Sequence, residues 1–230
     1  MSKNCYIVAT IRPWNIQAYE EQIRHFPGDW HLVTERKELN EELIDTLCPR
    51  YVFFPHWSWI VEKSILEKTE CVCFHMTDLP YGKGGSPLQN LIVRGHKKTM
   101  ITALRMENEL DSGPVYEKRS LSLSGRAEEI YKTCAGTVGE MIGWMIRNEP
   151  KPIPQSLSGH EETFKRRTQS MSKLPTTVTS IEEIYDHIRM LDARGYPTAY
   201  IEYGNFCIQF TNADIADADT IAANVKISKK

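Results

Sequence analysis

The 230-residue sequence lacks most of the signatures that assign a chemistry directly. Its six cysteines stand at 5, 48, 71, 73, 134 and 207, with no CxxC pair and no zinc-ligand spacing among them. No HExxH and no carboxylate cluster is present, so no metal is expected. No GxGxxG follows the first strand-like run, which argues against a dinucleotide cofactor. No GxxxxGK followed by Ser or Thr exists either, which argues against a Walker-type ATP site. No apolar run approaches the roughly 18 residues of a membrane span. Met1-Ser2-Lys3-Asn4 turns polar too soon for a signal peptide. The net charge of −2 offers no basic excess for a nucleic acid, and no repeat or low-complexity segment is found. Most of the cysteines sit in apolar runs, which leads us to expect buried, reduced thiols and a cytoplasmic setting.

What is present is an ordinary soluble composition, 41% hydrophobic and 25% charged, in a chain long enough for one α/β domain and a small appendage. Cys5–Thr10, Trp30–Thr34, Tyr51–Phe54 and Cys71–Phe74 read as buried strands. Between them Pro13 opens a helix to about Phe26, Glu38–Leu47 is helical, and Trp59–Lys68 is a short helix. A short helix over Leu88–Val93 and strands at Thr99–Arg105 and Val115–Ser120 follow. The alternation predicts right-handed crossovers and a mainly parallel sheet. In Gly125–Asn148, Ile130, Cys134, Val138, Met141, Ile142 and Met145 recur at helical spacing, with Ser124 as the expected N-cap. Pro150, Pro152 and Pro154 stop that helix, and 149–178 reads as a boundary or surface arm. The division expected is 1–150 for a catalytic domain and 151–230 for the arm and a small C-terminal unit. In that unit Ser180-Ile181-Glu182-Glu183 fits a capping box on a helix that Gly195 ends. Tyr203-Gly204-Asn205 reads as the turn of a hairpin between Tyr200–Glu202 and Phe206–Phe210. The last eighteen residues are weakly patterned.

Two loops carry the chemistry. The run Cys71–Phe74 stops at His75 and opens into Met76-Thr77-Asp78-Leu79-Pro80-Tyr81-Gly82-Lys83-Gly84-Gly85-Ser86-Pro87, whose glycines let backbone approach a ligand closely. Asp111-Ser112-Gly113-Pro114 sits at the mouth of a later strand. A histidine at one strand end and an aspartate at another form an acid/base pair in many α/β enzymes. The aromatic run Phe53-Phe54-Pro55-His56-Trp57-Ser58-Trp59 follows the third strand, and reads either as packing or as a pocket wall.

These residues resemble a known family. Phe74-His75-Met76-Thr77-Asp78-Leu79-Pro80 resembles the Asn-x-His-x-Ser-x-Leu-Pro signature of the 10-formyltetrahydrofolate-dependent formyltransferases, and Lys83-Gly84-Gly85-Ser86-Pro87-Leu88 the segment after it. Leu110-Asp111-Ser112-Gly113-Pro114-Val115 resembles the family's Asp-x-Gly-x-Ile, 36 positions beyond His75 as in the family. The resemblance covers about residues 5–150. Phe164-Lys165-Arg166-Arg167 and Ile188–Ala199 look like the linker and hairpin of sugar-nucleotide and methionyl-tRNA formyltransferases. Phe54–Trp59 and His75–Asn90 look most like the pseudaminic-acid branch.

The resemblance implies a Rossmann-like formyltransferase fold and direct transfer of a formyl group from 10-formyltetrahydrofolate, as donor substrate, to a primary amine. It implies that His75 handles the proton and that Asp111 orients it. It places Phe54, His56, Trp57, Leu110 and Asp111 at the folate. It places Met76, Thr77, Tyr81, Lys83, Gly84, Gly85, Ser86 and Asn90 at the acceptor. The acceptor expected is a nucleotide-linked amino-deoxy sugar, with Lys83, Arg94, Lys165, Arg166 and Arg167 as candidate diphosphate contacts. A nucleic-acid or membrane partner is not expected, and a homodimer is left open. The alternatives are methionyl-tRNA formyltransferase and a non-catalytic module of the same fold. One departure stands out: the family's asparagine two residues before the histidine is Cys73 here. A thiol donates poorly, and loss of one oxyanion donor costs roughly 10²–10³ in rate. Asn90, His56, a backbone amide or water could take over. The apolar neighbours Val72 and Phe74 argue against Cys73 as a nucleophile.

Overall fold

The computed structural model describes residues 4–156 and 162–230. The first three residues and 157–161, which fall within the expected arm, lie outside the described residues. The chain runs β1 (Cys5–Ala9), α1 (Pro13–Glu21), β2 (Asp29–Val33), α2 (Glu41–Leu47), β3 (Tyr51–Pro55), α3 (Lys63–Lys68), β4 (Cys71–His75) and β5 (Tyr81–Gly84). It continues through α4 (Pro87–Ile92), β6 (Lys98–Arg105), β7 (Val115–Ser122), α5 (Ala127–Asn148), β8 (Glu162–Phe164), α6 (Ile181–Arg189), β9 (Ala199–Tyr203), β10 (Phe206–Asp217) and β11 (Thr220–Lys229).

Among the described residues the central sheet has the order β2-β1-β3-β4-β6-β7. β1 pairs in parallel with β2 and β3, and β3 with β4, while β6 runs antiparallel to β4. The sheet is therefore mixed but mainly parallel. The inner strands β1, β3 and β4 are apolar on both faces, as strands covered on both sides require. On one face Ile7, Ala9, Val52, Phe54 and Cys71 pack with Ile44, Val61 and Ile65. The alternate residues Tyr6, Tyr51, Phe53 and Phe74 form an aromatic row with Trp30, the Tyr6 and Trp30 rings 4.7 Å apart.

Local chemistry moved several boundaries. The α1 helix starts at Pro13 but ends at Glu21, and a separate 3-10 turn covers Ile23–His25. The α2 helix starts only at Glu41, because the Asn40 side chain caps it by accepting the Leu43 N–H at 2.9 Å. Glu38 instead closes the box of a preceding 3-10 turn. Helix α3 begins at Lys63 rather than Trp59. Ser124 lies too far upstream to cap α5; the Glu129 carboxylate takes the Arg126 N–H at 2.9 Å. The loop after His75 contains β5, paired with β8.

Two compact units interleave along the sequence. The first holds Met1–Gly84, Met100–Leu121 and Lys132–Thr163. The second holds Gly85–Thr99, Ser122–Tyr131 and Phe164–Lys230. Packing thus divides the chain differently from a cut at 150. In the second unit buried Arg189 explains why: its Nη1 donates to the carbonyls of Leu123 and Gly125 at 2.6 and 2.8 Å, and its Nε to Asp186 at 2.6 Å. The Gln89 amide likewise reaches Tyr131 Oη and the Met190 carbonyl, each at 3.0 Å. The α6 helix has the expected Ser180 cap but stops at Arg189, before Gly195. The hairpin turns at Gly204, φ +55°, and the weakly patterned tail is strand β11, antiparallel to β10.

Candidate active site

In the first unit β4 ends at His75, beyond the last registered pair with β3, Pro55 with Phe74. His75 is 7% exposed. Its Nε2 lies 2.8 Å from the Gly82 carbonyl, so that nitrogen carries the proton and donates. Its Nδ1 lies 3.6 Å from Asp111 Oδ2. A proton arriving on Nδ1 therefore meets a carboxylate that is itself only 7% exposed. Asp111 Oδ2 also accepts the Gly84 N–H at 2.8 Å, which ties β5 to the aspartate. Thr77 stands behind the pair: its carbonyl accepts the Thr102 hydroxyl at 2.7 Å, and its own hydroxyl reaches the Gly82 carbonyl at 3.4 Å.

Asp111 sits in the left-handed region, φ +54°. Aspartate tolerates that conformation better than most residues. Gly113 follows because a Cβ there would fall 1.8 Å from the Arg105 carbonyl oxygen. The side-chain amide of Gln155 closes the turn, donating to the carbonyls of Asp111 and Gly113, both at 2.8 Å. Neither Gln155 nor Thr102 was foreseen. Gln155 stands in a proline-rich stretch with no motif, and Thr102 is one polar residue in an apolar strand.

Cys73 lies across from Phe54 in the β3–β4 register. Burial pushes its thiol well above the ordinary cysteine range, and the Asp111 charge pushes it further. It stays a thiol, which fits a weak donor and not a nucleophile. Of the stand-ins for the family asparagine, Asn90 is committed: its Nδ2 donates to the Gly85 and Lys165 carbonyls at 2.9 and 3.0 Å. His56 is in the left-handed region, φ +59°, and burial followed by the Arg12 charge lowers its pKa to about 3. It is a neutral imidazole against Trp14, ring centroids 5.8 Å apart.

The remaining expected residues separate. Phe54 is 1% exposed and belongs to the apolar core rather than to a pocket wall. Trp57 packs on that core and meets Trp59 edge-to-face at 4.8 Å. Leu110, beside Asp111, is 66% exposed. Met76 is buried, while Tyr81, Lys83 and Gly84 are partly exposed along β5. Gly85, Ser86 and Asn90 belong to the second unit, where they grip the basic segment Lys165-Arg166-Arg167. There Gly85 donates to the Phe164 carbonyl at 2.9 Å, and the Ser86 hydroxyl accepts the Arg167 N–H at 3.1 Å. A Cβ on Gly85 would lie 2.6 Å from that of Arg166. The cavity of about 340 Å³ in the first unit, lined by Arg36, Lys37, Trp57 and Ile60 among others, does not include His75 or Asp111.

Against known proteins, the chain aligns over 99% of its length, and over 100% of the other chain, with a solved methionyl-tRNA formyltransferase from Clostridium thermocellum, at 40% identity and a TM-score of 0.92. The chain belongs to the folate-dependent formyltransferase family. The family model for the methionyl-tRNA formyltransferase C-terminal domain matches residues 169–228. A curated methionyl-tRNA formyltransferase from Rickettsia felis is 27% identical over 206 residues, 88% of this chain and 66% of that protein. The chain thus spans just under two thirds of that relative's length. The HypX structure from Aquifex aeolicus in complex with tetrahydrofolic acid shares the fold at 17% identity, with a TM-score of 0.72 over 90% of this chain and 37% of that one.

These matches correct the acceptor expected from the sequence. Solved sugar N-formyltransferases share 11–16% identity with the chain, a likeness of fold alone. The nucleotide-sugar acceptor, the pseudaminic-acid branch and the exclusion of nucleic acid are therefore set aside. The charge argument failed because −2 is an average. Of 28 basic and 30 acidic residues, the first unit holds 15 and 20, and the second 13 and 10. Among the described residues, no helix is long and apolar enough to cross a membrane.

Proposed function

We propose that this protein transfers the formyl group of 10-formyltetrahydrofolate to the α-amine of methionine on initiator tRNA, in the cytoplasm. The 40% identity along the whole of the Clostridium thermocellum chain carries the reading, and the C-terminal match to the tRNA formyltransferase domain supports it. The donor is a substrate whose formyl carbon accepts the amine. Leu110 offers apolar surface to its ring beside Asp111. The amine nitrogen bonds to the formyl carbon, the bond from that carbon to the folate nitrogen breaks, and one proton passes from the amine to the folate nitrogen. His75 is the carrier, and Asp111 faces the Nδ1 on which the proton rides. Gly82 holds the ring from its other nitrogen. Lys165 and Arg166, exposed on a backbone clamped by Ser86 and Asn90, are the cations offered to phosphates.

The test is formylation of purified initiator methionyl-tRNA with 10-formyltetrahydrofolate, beside a salt titration of tRNA binding. Replacing Lys165 and Arg166 together with Gln should reduce the slope of log K against log salt by about 2. No transfer to the charged tRNA from a formyl-folate donor would refute the reading.

A further inference from the structure

We infer that Gln155 is a positioning residue for the His75–Asp111 pair, setting the carboxylate's place through the backbone of the turn that carries it. The inference rests on that pair being the reacting groups. Among the described residues the hydrogen bond on the Asp111 carboxylate is the one from the Gly84 N–H, so the backbone of the turn must do much of the aiming. That backbone is left-handed at Asp111 and pressed onto the Arg105 carbonyl at Gly113. Two carbonyls of the turn, of Asp111 and Gly113, need donors, and the single Nε2 of Gln155 supplies both hydrogens at 2.8 Å.

Gln155 is itself held in place. Two residues earlier, Ile153 and Val115 exchange backbone hydrogen bonds of 2.7 and 2.8 Å, which pins the arm beside the start of β7. The turn and the arm thus form one closed frame: Val115 to Ile153, then Gln155 back to Gly113 and Asp111. The frame carries an unmet cost, since Gln155 Oε1 is buried without a hydrogen-bond partner among the described residues. A polar group kept at that cost needs a reason beyond filling space. Glutamate is nearly isosteric but has no N–H to give, and would aim a carboxylate at two carbonyl oxygens.

The test uses the full chain. Gln155→Met keeps the shape and removes both donors. Kinetics with 10-formyltetrahydrofolate and methionyl-tRNA should show kcat reduced about 10 to 10²-fold, the scale of a misplaced reacting group, with both KM values within twofold of the parent. The same change in an Asp111→Asn background should cost less than twofold, because Gln155 acts through the carboxylate. In protein labelled with ¹⁵N-histidine, the His75 ring signals should move in Gln155→Met, a readout that needs no turnover. An equal loss of kcat in both backgrounds would overturn the inference, as would unmoved His75 signals. If the parent protein does not formylate methionyl-tRNA, the proposed function falls, while the His75 spectrum still decides the role of Gln155.

Discussion

Asp111→Asn isolates the charge at the site. Asparagine keeps a carbonyl oxygen for the Gly84 N–H and tolerates a φ of +54°, so the fold should survive. What disappears is the negative charge 3.6 Å from His75 Nδ1. At that separation a pair of unit charges interacts with about 1 kcal/mol in a water-like medium and about 5 kcal/mol at an effective dielectric near 20. With both side chains 7% exposed, the value belongs nearer the upper end. If His75 bears a proton in the transition state, that interaction is felt there and little in the ground state. At 1.36 kcal/mol per decade, kcat should fall about 10² to 10³-fold. Initial rates under saturating donor and tRNA, with a thermal melt beside them, provide the assay. Asp111→Ala should also lower Tm, since alanine loses the acceptor and strains the left-handed turn. An Asp111→Asn protein with an unchanged melt and a rate within threefold of the parent would refute the charge argument.

Cys73→Asn, which restores the family residue, should leave the rate unchanged or raise it, and Cys73→Ser should stay active; a dead Cys73→Ser enzyme would point to covalent catalysis after all. His56 links stability to pH. Its folded pKa of about 3 lies below the unfolded value near 6.5, so the unfolded chain binds the extra proton between them. The stability it contributes is complete above about pH 6.5 and is lost as pH falls toward 3. His56→Asn, compatible with a φ of +59°, should flatten the decline of Tm between pH 6.5 and 4. Arg189→Met leaves Asp186 with only the exposed Lys97, 3.6 Å away, as its cation and removes the donor from two carbonyls, and should cost about 1–3 kcal/mol in urea unfolding.

The sequence made the strands of the parallel half legible because apolar runs such as Tyr51–Phe54 and Cys71–Phe74 have no other place than a covered sheet. Helix ends were less legible. Asn40 and Glu38 are both plausible starts, and only the hydrogen bond to the Leu43 N–H separates them. Strand β5 hid because Gly82 and Gly84 dilute its pattern, and its partner β8 lies far along the chain. Strand β11 hid because both faces of its ribbon are largely exposed, leaving no apolar alternation to read. That His75 and Asp111 would come within reach of one another could be read from their loops. The contacts of Gln155 could not, since they are made to backbone carbonyls of a turn more than forty positions away. The acceptor was misread because specificity was inferred from short blocks and a global charge, whereas the relationship extends over the entire chain.

The interleaving of the two units bears on how this protein can be cut. A chain ending soon after residue 163 would retain every segment of the first unit, but would also retain 85–99 and 122–131 without their counterpart. The Leu123 and Gly125 carbonyls would lose the Arg189 guanidinium, and the Gln89 amide would lose the Met190 carbonyl. Such a truncation is not the removal of an appendage; it leaves two segments of the second unit without the residues that satisfy their polar groups. The C-terminal segment is equally unsuited to grafting, because it brings none of the helix and strand ends it folds around.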